Sequence, residues 1–372
     1  MAESKNKKII KKVSTKVGIK KVVKKVTKKK VAKIKKRVEL TRALHNPIIS
    51  PRLYPWESKA TFNPTAFLGT GKIHLIYRAI GHDDSSVLGY AGSHDGYNII
   101  DRPTYTIFMR RNNFNRVKYT VAPIDYISGG GWNGGCEDPR VTRIDDTVYL
   151  LYIAFDGWGS VRIALTSIAF SDFEAKRWQW KNPILISPPN EIHKNWVIFP
   201  EKVKGKYAIL HSISPKILIH YFDSFDEFDG KKFINSIHQG SPEWQSRERG
   251  VRGVGPAPIK TELGWLMLYH KIEEHDPGRY KIWAMILDSE DPTKVLYKSP
   301  EPILEPDEDY ENNGCKWGVI YTCGAVVKND RLFVYYGGAD MVVGVATILL
   351  TELLEDLKKH KVVKFKKYVT RI

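Results

Sequence analysis

Gly71-Lys72-Ile73-His74-Leu75-Ile76-Tyr77 is a turn followed by a strand-forming run that ends in an aromatic, and the same unit recurs along the chain. It returns as Asp146-Thr147-Val148-Tyr149-Leu150-Leu151-Tyr152 and Gly205-Lys206-Tyr207-Ala208-Ile209-Leu210-His211. It appears again as Gly264-Trp265-Leu266-Met267-Leu268-Tyr269-His270 and Asp330-Arg331-Leu332-Phe333-Val334-Tyr335-Tyr336. β-Branched and aromatic residues pack well on a pleated surface, so each run predicts a strand. Second strands follow, such as Val87-Leu88-Gly89-Tyr90-Ala91 and Val343-Gly344-Val345-Ala346-Thr347. Four of them lead to acidic turns at Asp95, Asp172, Asp223 and Asp288. The copies begin at 71, 146, 205, 264 and 330, a spacing that suits four-stranded blades with variable loops. The sequence therefore predicts an all-β fold, a five-bladed β-propeller over residues 41–372. A β-sandwich or two small barrels would give no reason for the period. Leu349 to Lys364 carries Leu, Glu and Lys at helical spacing and predicts a short surface helix or a closing strand.

Residues 1–40 differ in composition. Of the net charge of +18, +16 sits in residues 1–37, where 17 basic residues face Glu3 alone, which leaves +2 for the rest. Lysine self-repulsion opposes packing, so this stretch is expected to be a disordered tail. It resembles the lysine-rich tails of linker-histone-like proteins, and its expected partner is nucleic acid or another anionic surface, held non-specifically. No run of about 18 apolar residues predicts a membrane span, and no apolar block follows the basic start as in a secretory signal. The cysteines, Cys136, Cys315 and Cys323, form no C-x-x-C pair. They are expected to be three buried thiols in a reducing cytoplasm.

Propellers bind ligands where loops from all blades converge, so chemistry is sought in inter-blade loops. The richest is Gly129-Gly130-Gly131-Trp132-Asn133-Gly134-Gly135-Cys136-Glu137-Asp138-Pro139-Arg140. Its glycines permit close backbone approach to a ligand. Pro139 is expected to hold Asp138 extended, so that the carboxylate projects. Crowding by Glu137 is expected to keep a proton on Asp138, as a general acid requires. A local Asp–Arg ion pair in a turn would produce the same residues without chemistry.

Around that loop the chain resembles glycoside hydrolase family 130, the inverting β-mannoside phosphorylases and β-mannosidases. The matching pieces are Phe62-Asn63-Pro64-Thr65-Ala66, Leu75-Ile76-Tyr77-Arg78, Cys136-Glu137-Asp138-Pro139-Arg140-Val141 and Phe199-Pro200-Glu201-Lys202. Further on come Gly255-Pro256-Ala257-Pro258-Ile259, Leu287-Asp288-Ser289-Glu290-Asp291-Pro292, Ile303-Leu304-Glu305-Pro306 and Tyr336-Gly337-Gly338-Ala339-Asp340. The resemblance implies a five-bladed propeller with Asp138 as catalytic acid. It implies substrate-binding roles for Asn63, Arg78, Arg140 and Asp340, a β-mannoside oligosaccharide as substrate and no cofactor. No metal-ligand spacing is visible in the sequence.

The resemblance leaves the nucleophile open. A phosphorylase uses inorganic phosphate as co-substrate and needs fixed positive donors, whereas an inverting hydrolase needs a second carboxylate to activate water. The positions implied for phosphate are Lys194, Asn195, Arg252, His270 and Tyr280. Ser212 and Val251 stand where the family's phosphorylases carry Arg and Lys, and Arg247, Arg249 and Arg252 lie on one nearby stretch that supplies charge. The reading taken is phosphorolysis to mannose 1-phosphate. The alternatives are inverting hydrolysis, with Glu201 and Glu243 as the first bases to consider, and glycosyl transfer by the same acid. A non-catalytic propeller that stacks glycans on Trp132, Trp158, Trp196, Trp244 and Trp317 is a third.

Overall fold

A computed structural model describes residues 37–109, 134–157, 159–238 and 240–362. The lysine-rich stretch to residue 36, the glycines of 129–131, Trp132 and Trp158 lie outside these residues. Each of the five repeated runs forms a middle strand of an antiparallel meander. After β1 (Thr41–Arg42), the first meander is β2 (Ala60–Leu68), β3 (Ile73–Ile80), β4 (Ser86–Ser93) and β5 (Ile99–Asp101). The second is β6 (Gly135–Ile144), β7 (Thr147–Phe155), β8 (Val161–Ala169) and β9 (Ile184–Leu185), and a single parallel pairing of Ser86 with Gly135 joins it to the first. The third is β10 (Val197–Ile198), β11 (Tyr207–Ser212) and β12 (Leu218–Phe222). In the fourth, β13 (Val251–Val254) and β14 (Ile259–Thr261) both pair with β15 (Gly264–Glu273), which continues to β16 (Asp276–Leu287) and β17 (Val295–Lys298). The fifth runs β18 (Ile320–Lys328), β19 (Arg331–Gly338), β20 (Val342–Leu349) and then β1, so the first strand closes the last sheet.

The middle strands are buried on both faces, because alternate side chains enter different cores. Ile76 of β3 meets Leu150 of β7, while Leu151 of β7 meets Ile209 of β11. Leu210 of β11 meets Met267 of β15, Leu268 of β15 meets Val334 of β19, and Tyr335 of β19 returns to Leu75 of β3. Five cores are thus each shared by two successive meanders, and the fifth meander packs on the first. Val38 and Leu40, which a boundary at residue 40 assigns to the tail, pack against one of these cores, so the folded body already includes them. Helices are few. The predicted C-terminal element is a helix, α3 (Leu350–Leu357), after α1 (Phe170–Glu174) and α2 (Asp309–Asn312). It buries Leu353, Leu354 and Leu357, so it serves the core more than the surface. No helix among the described residues is long and apolar enough to cross a membrane.

Every meander carries a register shift near one end: Phe62/Thr65, Glu137/Arg140, Leu210/Ser212, Val251/Gly253 and Thr322/Gly324. A bulge re-aims side chains out of the pleat. Here five of them converge, and Asn63, Asp138, Ser212, Arg252 and Tyr321, at or beside the bulges, line one cavity.

Candidate active site

Asn63, Asp138 and Asp340 come from bulged strands and a tight turn, whereas Lys194, Asn195 and Arg247 lie on connections between strands, where the site residues are expected. Asn63 (φ 46°) and Asp138 (φ 47°) are left-handed residues before prolines, and Asp340 (φ 54°) occupies the turn between β19 and β20. The expectation of an extended Asp138 is therefore corrected. The bulge turns the backbone, and the left-handed residue carries the carboxylate toward the cavity, a conformation that Asp and Asn tolerate better than most residues. Gly337 serves the same end, since a Cβ there would collide with the Asn63 side-chain oxygen.

The cavity has a volume of about 440 Å³. Of the residues expected at the site, Asn63, Asp138, Lys194, Asn195, Arg252, Tyr280 and Asp340 line it. Arg78, Arg140 and His270 are buried and are not among the lining residues. Arg78 is fully buried and donates to Glu137 at 2.7 Å and to Asp138 Oδ1 at 3.2 Å; Asn63 Nδ2 donates to the same oxygen at 2.8 Å. Arg140 donates to the carbonyls of Val254 and Gly255, to Asn195 Oδ1 at 3.0 Å and to the Tyr321 hydroxyl at 3.0 Å. Asn195 donates in turn to the Arg252 carbonyl at 2.8 Å, so its amide braces the backbone at Arg252. His270 stacks on Tyr321 with ring centroids 4.1 Å apart, and its Nε2 accepts from Thr322 N at 2.9 Å. Burial and the Arg140 charge push that imidazole down to about 3, so it is neutral and is no cation for phosphate.

The acids behave differently from one another. Burial drives Glu137 up to about 7 despite Arg78 and Lys194, and drives Asp340 up to about 7 despite Arg78. Burial also pushes Asp138 upward, but Arg78, the Asn63 amide, Lys194 and Arg140 together outweigh it and hold Asp138 below its ordinary value. The upward push expected from crowding is thus outweighed at Asp138, because its hydrogen bonds and the surrounding cations favour the anion, and Glu137 is the acid that burial raises. Lys194 is lowered by burial, which the surrounding carboxylates only partly offset.

The lining carries four cationic side chains, Lys194, Arg247, Arg252 and Lys316, against the two carboxylates Asp138 and Asp340. Arg247 lies 4.1 Å over the Trp244 ring and Arg252 5.8 Å over that of Tyr280. Ser212 and Val251 line the cavity, so the two positions without their basic residues do belong to the site. Glu201 and Glu243 are exposed and outside the lining, which removes both as bases. Trp196, Trp244 and Trp317 all line the cavity, Trp196 as a buried ring of its wall. Tyr321 and Lys316 were not foreseen. Tyr321 sits one residue before a bulge, and only the periodic recurrence of bulges would have singled it out. Of the three thiols, Cys136 and Cys323 are buried and Cys315 is exposed, against the expectation for the last.

The cavity at the converging bulges is thus walled by carboxylates, amides and cations, groups that suit a ligand rich in hydroxyls or charge. The family model for glycoside hydrolase family 130, described as beta-1,4-mannooligosaccharide phosphorylase, matches residues 25–359, and the chain belongs to that family. It is 36% identical to a beta-1,2-mannobiose phosphorylase of Thermoanaerobacter sp. (strain X514), over 83% of this chain and 97% of the relative. It is 34% identical to a 1,2-beta-oligomannan phosphorylase of the same organism, over 85% and 99%. Among solved structures, the beta-1,2-mannobiose phosphorylase of Listeria innocua in complex with beta-1,2-mannobiose superposes with a TM-score of 0.62 at 26% identity, covering 86% of this chain and 99% of that one.

Proposed function

We propose that this chain is a five-bladed β-propeller phosphorylase that cleaves β-mannosides with inversion and releases mannose 1-phosphate. The propeller reading rests on the five cores shared in cyclic order and on the closure of the last sheet by β1. The substrate class rests on the relatives, which are β-mannoside phosphorylases by name. One observation carries the choice of phosphate over water: four cations face two carboxylates on the cavity wall. Inorganic phosphate carries between one and two negative charges at neutral pH and needs such donors. A reducing cytoplasm suits this enzyme, given its three thiols and its phosphate co-substrate.

In this mechanism Asn63 and Asp340 hold the mannosyl unit, and Lys194, Arg252 and Arg247 hold phosphate, with Tyr280 as a neutral donor. A phosphate oxygen attacks the anomeric carbon from the face opposite the leaving group. The glycosidic C–O bond breaks as Asp138 delivers its proton to the departing oxygen, directly or through a sugar hydroxyl. Asp138 must be protonated to do this, and phosphate itself supplies the upward push. Its charge offsets Lys194 and Arg140, two of the groups that hold Asp138 down. Arg78 and Arg140 fix the acid and the brace without touching substrate. The test is incubation with β-1,2- and β-1,4-mannobiose with and without phosphate. Phosphate-dependent mannose 1-phosphate is expected. Free mannose as sole product at saturating phosphate overturns the reading in favour of hydrolysis, with Asp340, the other lining carboxylate, as base.

A further inference from the structure

We propose that Trp317 is a stacking platform for leaving-group sugars beyond the cleaved bond, so that the enzyme favours β-mannooligosaccharides longer than a disaccharide. This rests on the reading above that the cavity binds a β-mannoside. Trp317 is 61% exposed and yet lines the cavity, which puts it at the mouth. An indole joins a large apolar face to a single polar N–H, which suits a rim position that is half in water and half against a ligand.

The segment that bears it is pinned on both sides of the ring. Lys316 N donates to the Ala339 carbonyl at 3.0 Å, Tyr280 N donates to the Gly318 carbonyl at 3.0 Å, and Ala339 N donates to the Val319 carbonyl at 2.8 Å. The Arg279 guanidinium lies 5.6 Å from the Trp317 centroid and is itself held by the Pro306 carbonyl and the Asn312 side chain. The indole is therefore presented by a fixed backbone and steadied by a fixed cation.

Its anchor also sets its place along the substrate. The same backbone bonds fix the turn that carries Asp340, the proposed contact for the mannosyl unit. Arg78 and Glu137 lie buried behind Asp138, with Arg78 bonded to both acids. Trp317 shares the lining with the nearly buried Asp340 and is itself exposed, so a sugar chain that runs from the mannosyl unit to solvent on that side meets the indole. The C–H face of a pyranose ring is apolar and fits an indole, as two aromatic faces fit one another. Trp244 stands on another segment of the same lining and is only half-exposed, so Trp317 is the more open platform of the two.

The test compares kcat/KM for β-linked mannobiose, mannotriose and mannotetraose at saturating phosphate in wild type, Trp317→Ala and Trp317→Phe. Wild type is expected to prefer the trisaccharide. The trisaccharide-to-disaccharide ratio should fall about tenfold in the alanine variant and by less in the phenylalanine variant. An unchanged ratio in Trp317→Ala overturns the proposal. So does an unchanged ratio with an altered mass in solution, which makes Trp317 a subunit contact. Mannotriose titrated against Asp138→Asn, with and without Trp317→Ala, reads binding alone. Weakened binding there keeps the platform even if no phosphorolysis is found, whereas a wild type that binds no mannoside removes the parent reading first.

Discussion

The two walls of the cavity are built on different principles. The acid wall, with Asn63, Asp138 and Asp340, stands on bulges and a turn, uses left-handed backbone, and is clamped from behind by an Arg78 that solvent never reaches. The cationic wall, with Lys194, Arg247 and Arg252, consists of long side chains, two of which rest on aromatic rings. One wall fixes single atoms; the other spreads charge over a volume. A proton must be delivered to one oxygen, which demands the first kind of precision, whereas phosphate is held by summed charge and tolerates displaced donors. This explains how Ser212 and Val251 can stand without basic side chains while Arg247 and Arg252 face the same space.

The sharpest way to break the comparison is Asp138→Asn. It keeps the shape and removes the proton, and kcat should fall about 10²–10⁴-fold with the fold intact. An activated aryl mannoside, whose leaving group needs no proton, should lose less. Activity near wild type would show that the acid wall does not hold the acid. Next in size is Lys194→Ala. It should raise the apparent phosphate KM about 10- to 150-fold, as the loss of a charged hydrogen bond does, with little change in mannoside binding. A KM effect on mannoside instead would merge the two walls into one. Ser212→Arg should move the other way and lower the phosphate KM several-fold, because it adds a fork at a lining position. No gain, in a variant with unchanged melting temperature, would mean that the displaced arginines already saturate the anion.

The smallest effect is on stability. Asp340 titrates near 7 in the folded state, above its ordinary value, so the native protein loses stability as pH rises from about 4 to about 7. Asp340→Asn has no such proton to lose and tolerates the left-handed turn. It should raise Tm by about 2–6 °C at pH 8, less at pH 5, while abolishing activity. Equal gains at both pH values would remove burial of the charge as the cause.

The sequence made the scaffold legible because each middle strand is buried on both faces and so repeats an apolar run at a regular period. It made Asp138, Asn63 and Asp340 legible as motif residues. It misjudged their geometry, since alternation along a strand says nothing of a bulge, and a proline after Asp138 reads as extended chain. Arg78, Arg140 and His270 were legible as site residues but not as residues behind the wall, because burial of a charged group depends on partners far away in sequence. The Asp138 proton was misread for the same reason: Glu137 is a neighbour in the chain, but Arg78 and Asn63 are the neighbours in space.

The pairing of β1 with β20 has a consequence for synthesis. Asn46 exchanges hydrogen bonds with the Val345 backbone across 299 residues, and Arg42 grips the buried Glu311 with two nitrogens. A ribosome adding about 5–20 residues per second leaves the first strand waiting for its partner for roughly 15–60 s. Throughout that interval the edge that will receive Thr41–Arg42 does not exist, and the growing chain shows unpaired strand edges to its surroundings. The last sheet is complete only when β20 has been made, so any nascent chain that stops short of Val342 leaves both β1 and β19 without that partner.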